Sequence, residues 1–582
     1  MMLGALALAA VLQAVQVPPV LDFPEPGLDD SAAYQGYQTR FYRDSKRNSV
    51  QIYIEPKAGR VVLVWADAAN ESAGFTVRDR KGQPVATTWA AVPATVSDSG
   101  GRRSIEYRLT AKAPEVELGW FVLGSMRIER DFVYAGRQLL PYDAPAFQVA
   151  EESLLVAAVG RLGSDERGRH LAALRATSVD ELRARLQPAV STSRSDGGSL
   201  IRVARPSLDG RNRLILEIRP SPGDVVRRPS SRTVGILARG GSVTFSVRVT
   251  TDAATLTPLD RREIFTAEFL EFLREAGAAG DSAGKVRARR LERQVRAVEL
   301  LSSREKLMAG LPNFATYFGR DMMMTALMMR RVWRPAMAEH VIAGVLRKLG
   351  PGAAVSHEEA LGGQAIREHA VVYDSLVTAA MTPGVASRDS LLAAARELLE
   401  NLQRTRENYH MVDDEFQLPV LAGRYLADST VPAAQRRAFL LDSADGGGTR
   451  LARLVSELGL VAGLARPYAQ QPSVGNLVSF PRRDSVHRRS ASWRDSDAGY
   501  AGGRYAMDVN AIWVPQALEG IAAVLAALPR LGIDPRRLDS IAPGVRGSAL
   551  TAYATDSASL RRDIRTWQGA RRHFEVVFGP RE

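Results

Sequence analysis

The hydrophobic residues of this chain recur at two different periods, and the switch between them comes once, near residue 250. From about Tyr34 to Val249 the apolar positions alternate. SVQIYIEP, RVVLVWAD, SIEYRLTA, EVELGWFVL, RLILEIRP and SVTFSVRV are short runs rich in β-branched and aromatic residues. Clusters of Gly, Pro, Asp and Ser separate them, as at Arg80-Lys81-Gly82-Gln83-Pro84. From about Glu263 the spacing becomes helical, as in GKVRARRLERQVRAVELLSS, RPAMAEHVIAGVLRKLG and GTRLARLVSELGLVAGLA. Strands first and helices afterwards imply separate β and α domains, because an interleaved α/β fold would alternate the two periods. The fold class expected is therefore multidomain β + α. An antiparallel β-sandwich spans residues 34–250, a connection spans 251–284, and a helical domain spans 285–582. Within the first half, SVDELRARL reads as a helical insertion at Ser178–Leu186, with a serine cap and an acidic first turn.

Composition narrows the function classes. The net charge is +13, yet the arginines are scattered along the sequence, often beside Asp or Glu, and no basic helix with interleaved aromatics stands out. Nucleic acid is therefore not expected as a partner. The absence of cysteine excludes disulfides, thiolate nucleophiles and Cys-ligated zinc. The N-terminal run MMLGALALAAVLQAVQVPPV has the apolar length of a signal peptide over residues 1–20, with cleavage after Ala14. It lacks a positive n-region and carries Leu12 where a small residue is usual, so export is an expectation drawn from length and apolarity. Elsewhere no membrane span is expected.

Four polar segments interrupt the helical half. TYFGRDMMMTALMM places Arg320 and Asp321 at the head of a helix whose remaining residues are almost all apolar, so the helix should be buried on every side. Asp321 suits the positive end of the helix dipole, and a guanidinium beside a carboxylate offers donors and acceptors in fixed geometry. The same pair could simply cap the helix. AVSHEEALGG brings His357, Glu358 and Glu359 before two glycines, a composition that belongs on a loop. Leu361 stands where HExxH would need its second histidine, so no metal is expected there. In SWRDSD, Trp493 offers a sugar an apolar face and gives Asp495 a partly desolvated setting that raises its pKa, as a general acid requires. YAGGRYAMDVN then carries Arg504, Asp508 and Asn510 into the next helix. Tyr373-Asp374 and Asp413-Asp414, each beside a helical run, read as caps.

Phe318-Gly319-Arg320-Asp321, His357-Glu358 and Trp493-Arg494-Asp495-Ser496, in that order, resemble the six-hairpin glycosidases. These are the (α/α)6-barrel enzymes that include glucoamylase, trehalase and the amylo-α-1,6-glucosidase-type debranching enzymes, and the debranching group is the most similar. The resemblance covers roughly residues 290–530 by motif and the whole chain by architecture. It implies a toroid behind the sandwich and hydrolysis of an α-glucosidic bond, with inversion and without a cofactor. It also implies Asp495 as general acid, with Tyr317, Arg320, Asp321, His357, Glu359, Trp493, Arg504 and Asp508 holding the sugar. An inverting enzyme needs a second carboxylate about 6.5–9.5 Å from the acid. Many relatives carry that base near the end of the barrel, where this sequence departs from the pattern, and the closing hairpin is expected to be missing. Either the sequence is a fragment and the base lies on the missing hairpin, as favoured here, or the base comes from Glu358, Glu359 or another loop carboxylate, with Glu358 the candidate among them. Two alternatives remain open: phosphorolysis on the same fold, and a non-catalytic glycan-binding or scaffold protein with a degenerate barrel.

Overall fold

A computed structural model describes residues 14–25, 28, 38–125, 150–195, 198–227, 233–278, 280–479, 507–575 and 578–579. An antiparallel, sheet-rich N-terminal region is followed by a helical region. The last long strand, Val243–Thr251, and the first helix after it, Arg261–Ile264, bracket the change of period.

The strands form two eight-stranded sheets. One is centred on Arg102–Ala111, Val243–Thr251, Arg213–Pro220 and Gly198–Pro206. The other is centred on Glu115–Ser125, Glu71–Arg78, Arg60–Ala66 and Ser49–Glu55. Alternation puts Ile105, Tyr107, Leu109, Val247, Val249, Leu216 and Ile218 of the first sheet against Ile52, Ile54, Leu63, Phe75, Val77 and Leu118 of the second. Each such aliphatic side chain contributes roughly 1.5–3 kcal/mol by leaving water. The strand Val15–Val17 pairs with Ala94–Val96 at one end of the first sheet's described strand order.

Ser49–Glu55 and Arg60–Ala66 are buried on both faces. Their inner face meets the first sheet, and their outer face, through Tyr53, Val62 and Val64, packs with Leu311 of the helical half. Ala66 joins Met308 and Ala315 in the same contact. Ser49 Oγ donates to Leu300 O at 2.6 Å across the seam. The helical insertion is larger than the sequence reading. Val179–Arg185 begins at Ser178, whose side chain accepts from Glu181 N as the serine cap requires. Two further helices, Ala150–Arg161 and Ser164–Ala173, precede it. The three share one apolar cluster with Gly362–Ala380 and Arg388–Glu400, in which Ala150–Arg161 packs on the first, Ser164–Ala173 on the second, and Val179–Arg185 on Ala150–Arg161. Tyr373 and Asp374 lie inside Gly362–Ala380 and cap nothing. Tyr373 Oη lies 2.6 Å from His170 Nδ1, and Arg161 Nη2 donates to Asp374 at 2.7 Å.

The main helical core gathers Gly319–Met329, Pro335–Arg347, Gln417–Leu426, Arg450–Gln470, Met507–Ala527 and Ser557–Gln568. Its tightest crossing joins Gln417–Leu426 to Met507–Ala527. A Cβ on Gly520 would lie 2.4 Å from Pro419 O, so the backbones approach as only glycine allows. The segment Val509–Leu531 is the one described helix long and apolar enough to cross a membrane, and half of it is buried in this core. The helix Gly319–Met329 departs from the sequence reading. Met322, Met323 and Ala326 are inside, while Met328 is 70% exposed and Asp321 lies open to solvent. Its buried face is thus a stripe at i, i+1 and i+4, with Leu327 and Met329 half-buried against the same core.

Candidate functional site

Three chain segments meet at the head of Gly319–Met329. The hairpin of Met308–Gly310 and Phe314–Tyr317 delivers the chain to Phe318. Phe318 bridges to Glu358, and Gly319 N donates to His357 O at 2.9 Å. The two backbones run so close that a Cβ on Gly319 would stand 2.4 Å from Ser356 O. No side chain other than hydrogen fits there. His357-Glu358-Glu359 is not a loop. Glu358–Ala360 is a buried strand paired with Arg406–Asn408, and His357 N donates to Asn408 O at 2.8 Å. The third segment, Asp413-Asp414-Glu415, precedes the helix Gln417–Leu426, whose cap residue is Phe416. The two aspartates therefore do not cap it with their side chains.

These aspartates bind across the cluster. Arg320 Nη1 donates to Asp413 Oδ2 at 3.2 Å, joining residues 93 apart in sequence. His357 Nδ1 lies 2.8 Å from Asp414 Oδ2, in a hydrogen bond that the carboxylate accepts. Val355 N donates to Glu415 Oε2 at 2.9 Å. Asp413 and Asp414 are both essentially inaccessible. Each keeps one oxygen, Oδ1, without a hydrogen-bond partner among the described residues. Burial, together with the neighbouring Asp414 and against the pull of Arg320, pushes the Asp413 carboxyl up to about 6. Burial raises the Asp321 carboxyl as well, although one side of it is open to solvent, with Arg320 and His357 opposing. Rings close the wall: Phe318 and His410 each meet the His357 ring edge-on, at 5.5 and 5.3 Å between centroids.

Behind this layer lies a second polar knot. Glu359 accepts from Lys306 Nζ at 2.6 Å, Lys348 Nζ at 2.8 Å and Tyr317 N at 3.0 Å. Although burial alone would raise it, the two ammonium groups hold its carboxyl down at about 2. Lys348 also pairs with Glu407, which accepts from Ser356 Oγ at 2.8 Å. Tyr317 is fully buried beneath Lys348, whose Nζ lies 5.0 Å from the ring centroid. Tyr317 and Glu359 thus support the layer that carries Arg320 and His357. Deeper still, burial pushes up the carboxyls of Glu415 and Glu457, each repelling the next acid along. Glu457 has no hydrogen-bond partner for either oxygen among the described residues.

Glu358, at 6% exposed, is buried in the strand beside His357. Asp508 stands in the first turn of Met507–Ala527. One turn on from Met507, Asn510 Nδ2 donates to Val478 O at 3.0 Å. Trp493, Asp495 and Arg504 lie outside the described residues. Sequence reading missed the Lys306–Glu359–Lys348–Glu407 knot and undervalued Asp413-Asp414. The available signal was three consecutive acids, Asp413-Asp414-Glu415, immediately before an apolar helix, more negative charge than a cap requires. Among the described residues no three His, Asp or Glu side chains are grouped to hold a metal ion. The sequence matches no protein-family model and no curated protein.

Proposed function

We propose that the chain is a glycoside hydrolase acting on α-glucosidic bonds of oligo- or polysaccharides by single displacement, its helical half forming an (α/α)6-type toroid. The observation that supports this reading best is the pairing of Arg320 with Asp413 and His357 with Asp414, each aspartate retaining a buried oxygen that accepts nothing among the described residues. Buried acceptors without donors are costly unless a ligand supplies the donors. Adjacent sugar hydroxyls are donors of the right kind and spacing, and a guanidinium beside them serves a ring or hydroxyl oxygen. In this reading Arg320, Asp413, His357 and Asp414 hold the sugar ring. Asp495 delivers the proton to the leaving oxygen, and Glu358 activates water from the opposite face.

Incubation with a panel of α-linked glucosides, following release of reducing sugar, tests the activity. Asp495→Asn should abolish turnover while calorimetry still detects the sugar. Sugar binding without cleavage by the wild-type protein, sustained over days, would replace the hydrolase with a glycan-binding protein. Turnover retained in Asp495→Asn would remove that residue from the acid role.

A further inference from the structure

Charge that is dispersed in the sequence is gathered on the outer face of the first sheet. Arg102 of Arg102–Ala111, Arg202 of Gly198–Pro206, Arg213 of Arg213–Pro220 and Arg211 of the preceding turn line one depression of about 240 Å³. Its lining also includes Thr250, Ile215 and one carboxylate, Asp252. In the sheet register Thr250 pairs with both Ser104 and Ile215, so Arg102 and Arg213 project from strands separated by the central strand Val243–Thr251. Two strand spacings set their backbones about 10 Å apart. Two of the four guanidiniums, those of Arg102 and Arg213, form no ion pair with a carboxylate among the described residues, and the space they face is ample for a small oxyanion.

Asp252 does not close the charge. Its Oδ1 accepts from Arg213 N, a backbone bond that leaves the guanidinium available. Among the described residues no carboxylate forms an ion pair with Arg102 or Arg213. Arg202 shares Glu217 with Arg219, at 3.8 and 3.3 Å, and Arg211 Nε stands 3.6 Å from the buried Asp209. Elsewhere on the same face the pattern is different: Arg248 is tied to Glu106 at 2.7 Å. The depression is thus a local excess of planar, multi-donor cations whose geometry suits tetrahedral oxyanions.

We infer that this depression is a binding site for a multiply charged oxyanion of the phosphate class, independent of the helical-half cluster. Calorimetric titration of the full chain with inorganic pyrophosphate at low ionic strength tests it. Saturable one-to-one binding is expected in the wild-type protein, weakened at least about tenfold in Arg102→Gln/Arg213→Gln and unchanged in Arg248→Gln. Both substituted arginines are exposed, so the thermal midpoint of the double variant should match wild type. No saturable binding, or equal weakening in Arg248→Gln, overturns the site in favour of diffuse surface charge. In a competition arm, displacement of pyrophosphate by a phosphorylated oligosaccharide supports a glycan-borne oxyanion. Pyrophosphate that stays bound in its presence supports a free one.

Discussion

Arg320 and Asp413 meet through a single Nη1–Oδ2 contact of 3.2 Å, with the aspartate inaccessible to solvent and the arginine side chain one-fifth exposed. The asymmetry matters. The arginine side chain reaches partly into solvent, while Asp413 Oδ1 is buried without a hydrogen-bond partner among the described residues. One residue on, Asp414 meets His357 with both side chains buried. Together they turn a helix start, a buried strand and a loop into one surface.

Asp413→Asn should weaken sugar binding by about ten- to a hundredfold, the cost of losing a hydrogen bond to a charged acceptor. KM should rise more than kcat falls. The carboxyl titrates near 6, so the wild-type protein should bind sugar more tightly as pH rises through that value and the stronger acceptor forms. The asparagine variant should show no such rise. Calorimetry at several pH values reads both effects, and an unchanged profile would remove Asp413 from the ring-holding role.

Arg320→Gln removes the positive charge that opposes the upward push on Asp413. The pH at which sugar binding strengthens should therefore move above about 6, in addition to an overall loss of affinity. A loss of affinity with no movement of the midpoint would mean that Arg320 contacts only the ligand.

Gly319→Ala places a methyl group 2.4 Å from Ser356 O and 3.3 Å from Val355 Cγ1. Because the first of these is backbone, relief requires separating the helix start from the His357 strand. A loss of roughly 1–3 kcal/mol is expected, seen as a lower denaturant midpoint at constant slope. Activity should fall further than stability, since the same shift separates Arg320 from His357.

Glu359→Gln leaves Lys306 and Lys348 buried without their shared carboxylate, at a cost of about 3–5 kcal/mol. The acid response follows from the depressed carboxyl. Its contribution is fully present above the unfolded value near 4.5 and fades as pH falls toward about 2. Acid unfolding of the wild-type protein should steepen across that window, and the glutamine variant should lose that component. Circular dichroism at stepped pH measures it.

Periodicity alone carried the order of the fold. Alternation at Ile105-Tyr107-Leu109 and helical spacing in Arg450–Gln470 are local consequences of which face must leave water, so they can be read from neighbours a few residues apart. Arg320, His357 and Glu359 were also visible, because charge beside an apolar run or before two glycines is conspicuous locally. Their partners were not. Asp413 lies 93 residues from Arg320, Asp414 lies 57 from His357, and Lys306 lies 53 from Glu359. A buried charge is stabilised by whichever opposite charge the packing brings to it, and no local pattern encodes that choice. For the same reason His357-Glu358-Glu359 read as a loop, although pairing with Arg406–Asn408 makes Glu358–Ala360 a buried strand and Lys306 and Lys348 balance the charge of Glu359. The sequence by itself determined two periods, one seam and the residue types a site would need. Only the tertiary structure decided which acid answers which cation, because electrostatic pairing acts through space and the chain's order does not constrain it.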